Sequence, residues 1–170
     1  SLGKWNTIDY TEYTLSIFNK IDKFLFHNSN SNSIEIKNEE YYPLINGKNL
    51  LFIEDSRLGI YDAEELFIKN DNSIECIILS DGNGKYSIKL SKVISKYLLD
   101  TVWTVLSNAE MLEKSKKGFT PGYYTQIYFT NWGGSSNIGG SPRYSDGKNS
   151  FLSKDKVINY VLDELNSQIR

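Results

Sequence analysis

The stretch that most limits what this chain can fold into is residues 73–91, where two strand-like runs meet at Asn83-Gly84. That dipeptide accepts the positive φ angles of a tight two-residue turn and so predicts a β-hairpin. With Asn83-Gly84 as the loop, Leu79 falls opposite Ile88 and Ile77 opposite Leu90. Moving the loop back to Gly82-Asn83 sets Leu79 opposite Tyr86 and keeps the same parity, so the apolar face survives either choice. The second run alternates: Tyr86, Ile88 and Leu90 point one way, and Lys85, Ser87, Lys89 and Ser91 the other. The first run does not. Cys76, Ile77, Ile78 and Leu79 are apolar in succession, as expected of a strand covered on both faces in the middle of a sheet.

The rest of the chain supplies partners for that hairpin. Residues 9–26 carry Tyr10, Tyr13, Ile17, Ile21, Phe24 and Leu25 at helical spacing and end in a polar Asn/Ser loop over 27–33. Residues 34–37 alternate as a strand, and residues 39–43, closed by Pro43, are expected to break it. Asn46-Gly47 offers a turn before a second buried-looking strand over 49–54. Residues 58–61 read as a short strand; residues 62–70 could open a helical turn at Asp62 but are read as a strand. Ser91 is placed as the N-cap of a helix through Leu106, and Ser107 with Glu110 has capping-box spacing, so a helical restart is expected there, running to about Lys117. A strand over residues 101–106 is the alternative, but the unbroken helical stripe favours helix. Residues 123–132 form the most aromatic strand candidate, and 133–149 a Gly/Ser-rich loop or loose hairpin. Ser153 opens a last helix with a stripe of Val157, Ile158, Val161, Leu162, Leu165 and Ile169. The sum is a single α+β domain over 1–170: a largely antiparallel sheet of about five to seven strands, with N-terminal, middle and C-terminal helices packed on one face.

Composition narrows the chemistry. A chain of 170 residues can bury a full core without disulfides or metals. The net charge is −2 and only Arg57, Arg143 and Arg170 are arginines, which argues against direct binding of nucleic acid. No run approaches the ~18–20 apolar residues of a membrane span and no cleavable signal pattern opens the chain, so no membrane contact and a cytoplasmic location are expected. Cys76 reads as a small core hydrophobe and His27 as a surface residue at a helix C-terminus. The carboxylate pairs Glu39-Glu40, Glu54-Asp55 and Glu64-Glu65 are sequence neighbours, which point apart on a strand and make poor acid–base couples. The run from Asp81 to Gly84 lacks the other ligand positions of a calcium loop, and the glycine pairs at 133–134 and 139–140 lack a phosphate-binding context. No catalytic set, metal site or cofactor is therefore expected, and the chain is read as a non-enzyme.

Two surfaces remain as partner-binding candidates. Tyr123, Tyr124, Trp132, Arg143 and Tyr144 gather the residue types that dominate binding hot spots among small polar neighbours. Glu39, Glu40, Asp62, Glu64 and Glu65, with Asp55 and Asp71, form an acidic set suited to a basic partner.

The size, layout and Asn/Lys/Ile-rich composition, with residues 79–86 and 151–165 as nearest local echoes, resemble the small immunity proteins of bacterial polymorphic-toxin and contact-dependent inhibition systems. The resemblance implies a non-catalytic, one-to-one protein inhibitor that covers the active site of a cognate toxin domain, often a nuclease. The near-neutral charge departs from the acidic pattern of many nuclease inhibitors. A carbohydrate- or ligand-binding module built on the aromatic segment 119–151 is the alternative expectation.

Overall fold

A computed structural model describes residues 38–68, 71–91, 98–117, 131–143 and 149–168. All of them belong to one compact unit, Ile36–Arg170. The expected helix over 9–26, the loop and strand before residue 38, and the aromatic strand over 123–130 lie outside the described residues.

The described residues form an α+β fold on one six-stranded sheet. Its strands are β1 (Glu39–Pro43), β2 (Asn49–Glu54), β3 (Ile74–Ser80), β4 (Tyr86–Leu90), β5 (Gly133–Gly134) and β6 (Ile138–Gly140), in spatial order β1-β2-β3-β4-β6-β5. Only β2 and β3 run parallel; the other pairs are antiparallel. A parallel pair needs a crossover. It is supplied by helix α1 (Ile60–Ala63), continued by a π-helical turn over Glu64–Ile68. Two longer helices follow, α2 (Asp100–Lys116) and α3 (Lys154–Ser167).

The consecutive apolar residues of β3 are explained by cover on both faces. Cys76 and Ile78, with Leu50, Phe52, Ile88 and Leu90, pack beneath Val102 and Leu106 of α2 and Val157, Val161 and Leu165 of α3. Ile77 and Leu79, with Leu51 and Ile53, pack beneath Leu58, Ala63 and Ile68. Each such fully buried aliphatic side chain contributes about 1.5–3 kcal/mol. The middle and C-terminal helices, α2 and α3, share one face as expected, and the crossover, which the sequence did not announce as a helix, covers the other.

The central hairpin forms, but in a register one residue away from both expected ones. Ile78 lies opposite Ile88, Cys76 opposite Leu90 and Leu79 opposite Ser87. The turn is wider than two residues because Asp81 organises it. Its Oδ1 accepts from the amides of Asn83 (2.8 Å) and Lys85 (3.1 Å), while Gly82 and Gly84 adopt φ of +79° and +81°. The one-residue change in register puts Lys89 opposite Ile77, on the face that the crossover covers, and Lys89 is buried there.

Four more expectations change. Residues 39–43 do not break a strand; they are the edge strand β1, where Pro43 is tolerated at the end of the ladder. Residues 58–61 and 62–68 are not strands. Asp62 accepts from the Gly59 amide at 3.2 Å and so starts α1. The middle helix begins at Asp100 with Leu99 as N-cap, and it runs through residues 107–110 without a restart. Ser107 is not a cap, because its Oγ is committed to the backbone of Trp132, accepting from its amide at 3.1 Å. The expected loose hairpin over 133–149 is present as β5 and β6, and Ser153 is the N-cap residue of α3.

Candidate interaction groove

The crossover covers the second face of the sheet over β2 and β3. Beyond it, over β4, β6 and β5, lies a groove of about 470 Å³, within the size range of ligand clefts. Ile60 of α1 forms one wall. Lys85, Tyr86 and Ser87 at the start of β4, the glycines of the β5–β6 hairpin, and Asn131, Ser141, Pro142 and Arg143 form the rest.

Glycine shapes the floor. A Cβ on Gly139 would run into the Gly133 carbonyl of β5 and stand 2.7 Å from Cζ2 of Trp103, so glycine lets β6 lie against both β5 and the α2 layer. The hairpin is fastened from that side: Trp103 Nε1 donates to the Ser135 carbonyl at 3.0 Å, and the Leu90 and Leu99 amides donate to the carbonyls of Asn137 and Ser136. At the other end Ser141 brackets Tyr86, its Oγ accepting from the Tyr86 amide at 3.0 Å and its own amide donating to the Tyr86 carbonyl at 2.9 Å.

A buried carboxylate anchors the segments on either side of the hairpin. Glu110 accepts from Trp132 Nε1 (3.1 Å), Ser150 Oγ (2.6 Å) and the Phe151 amide (2.7 Å). Trp132 also stacks on Tyr86, with ring centroids 5.8 Å apart. The indole is 3% exposed, so it packs in the core and offers no ring face to a partner.

The charges separate the groove from the rest of the surface. Arg57 holds Asp55 at 2.6 Å, Lys116 and Lys156 share Glu113 at 2.8 and 2.6 Å, and Lys154 holds Glu40. Lys89 sits 3.1 Å from Glu64, Lys48 donates to the Asn72 carbonyl, Lys117 lies over the Phe151 ring, and Lys114 interacts with Glu110. Lys85 and Arg143 are the two cations without such a partner among the described residues, and both line the groove.

Of the described residues singled out from sequence, Arg143 alone lines this groove. Tyr123, Tyr124 and Tyr144 lie outside the described residues. The acidic set is largely occupied within the fold. Glu40 is bonded to Lys154 and Tyr42, in that order of effect, which lowers its pKa, and the same bond to Glu40 pushes the Tyr42 hydroxyl up to about 12. Glu39 accepts from Tyr41, Asp62 caps α1, and Glu64 neutralises Lys89; Glu65 is exposed. Sequence reasoning missed Lys85, which alternation places among the polar residues of the second hairpin strand, and Glu110, which has capping-box spacing with Ser107.

Lys89 and Glu75 are buried beside Ser91, and the Lys89 contact to Glu64 is close without being aligned as a hydrogen bond. Cys76 is fully buried and its thiol is raised by burial first and by the charge of Glu75 second. No group of three or more potential metal ligands occurs among the described residues, and none of the described helices is long and apolar enough to cross a membrane. Comparison with known protein families, curated proteins and solved structures finds no match to this chain.

Proposed function

We propose that this chain is a non-catalytic cytoplasmic binding protein that captures and neutralises a cognate bacterial toxin domain, as the immunity proteins it resembles do. The observation that carries the reading is the groove, where two unpartnered cations stand over a floor of glycine backbone while the other described cations are engaged. Groups suited to acid–base or nucleophilic work are employed structurally: Cys76 in the core, Glu110 under three donors, Glu64 against Lys89. What such a chain offers a partner is shape, charge and hydrogen bonding.

The test is genetic. Co-expression with the toxin domain encoded directly upstream should restore growth of cells that the toxin alone arrests. Growth that stays arrested despite soluble expression of both chains would remove the proposal. A glycan-binding module receives less support, because Tyr86 and Trp132, the rings beside the groove, are buried and cannot stack on a sugar.

A further inference from the structure

We infer that the groove between α1 and the β5–β6 hairpin receives an extended, carboxylate-bearing segment of the protein partner. The inference rests on the binding reading above and adds the chemistry of what is bound. Lys85 and Arg143 line one cleft, and among the described residues neither side-chain cation has a carboxylate partner, so both are placed to meet an acid there. The guanidinium of Arg143 can hold a carboxylate through two parallel N–H···O bonds, and Lys85 adds a point charge.

The floor fits an extended chain. Gly133 and Gly140, which share the face opposite to the missing Cβ of Gly139, project no side chain, so a peptide backbone can approach the sheet closely. Next to them β5 is the terminal strand among the described residues, and Gly133 has open space where a Cβ would stand. Extended segments add to such edges through main-chain hydrogen bonds, with side-chain charge setting the choice of partner. Ile60, Ile138 and Pro142 supply apolar wall for the intervening side chains. A nucleic acid strand fits less well: the chain carries a net charge of −2, and no stacking face is offered by Tyr86 or Trp132.

The probe is an acetylated, amidated hexapeptide of alternating glutamate and valine, titrated into the isotope-labelled full chain, with its lysine–valine counterpart as control. The acidic peptide should move the amide signals of Lys85, Ser87, Gly139, Gly140 and Arg143, and the basic one should leave them in place. Lys85→Glu and Arg143→Glu, both at exposed positions, should each weaken binding about five- to tenfold and leave the remaining spectrum unchanged. Raised salt should weaken binding as well. An acidic peptide that moves nothing, moves signals elsewhere, or acts no differently from the basic one would overturn the inference. A toxin complex indifferent to both substitutions would remove the groove and leave capture standing. Peptide binding at the groove without any toxin complex would do the reverse.

Discussion

The indole N–H of Trp132 donates to Oε2 of Glu110 at 3.1 Å, fixing the start of the β5–β6 hairpin to the middle of α2. Ser150 and the Phe151 amide converge on the same carboxylate, so one buried acid holds the segments on both sides of that hairpin.

Glu110→Ala therefore leaves one buried donor, the Trp132 indole, and two half-buried ones, Ser150 Oγ and the Phe151 amide, without this acceptor. A loss of about 3–5 kcal/mol in unfolding free energy is expected, against roughly 1 kcal/mol for Glu110→Gln, which retains one acceptor oxygen. Urea denaturation followed by tryptophan fluorescence measures both. Equal effects from the two variants would show that the charge and its donors matter less than the volume of the side chain.

The pair Glu64 and Lys89 predicts an asymmetry. The Lys89 side chain is fully buried and that of Glu64 is 18% exposed. Glu64→Ala strands a charge in the interior and should cost about 2–4 kcal/mol, whereas Lys89→Met leaves an acid that water can reach and should stay within about 1 kcal/mol of the parent. The order of the two midpoints in urea decides the matter.

These two acids also show what the sequence conveys and what it hides. Ser107 and Glu110 have the spacing of a helix start, and nothing local reveals that both turn toward a tryptophan 22 residues beyond Glu110. The apolar run of β3 announced a doubly covered strand, and the stripe of α3 announced a helix, because burial there follows from neighbours in sequence. The hairpin register was not legible, since it depends on Asp81 choosing a wide turn over a tight one. With the register went the placement of Lys89, and with the turn went the placement of Lys85 in the groove. Arg143 was legible as a binding residue type, but the pairing of the other described cations emerges only in three dimensions.

Acid should loosen the contacts of α3. Glu113 accepts from Lys116 and Lys156, which hold its carboxyl at about 2, and Lys154 and Tyr42 lower that of Glu40. Both pKa values are lower folded than unfolded, so this stabilisation is complete above the ordinary value of 4.5 and is lost as pH falls below it, for Glu113 down toward about 2. The effect is modest and salt-sensitive, because these groups lie at the surface. Carboxyl titration by NMR should find Glu113 still ionised at about pH 3, and Lys116→Gln or Lys156→Gln should raise its midpoint.

Cys76 should be inert to alkylation in the native state. Its side chain lies under α2 and α3, and burial disfavours the thiolate that reacts. Labelling by iodoacetamide should follow global unfolding across a urea series; rapid labelling in buffer would mean that the β3 core opens locally.

The account stands or falls on capture of a partner by the exterior of this unit. Calorimetric titration of the purified chain into its proposed cognate toxin domain, with the toxin's activity assayed at each point, tests that claim most directly. The account predicts saturation at one molecule per toxin domain and activity lost in proportion to occupancy. No heat of binding, with toxin activity undiminished at excess of the chain, would contradict it.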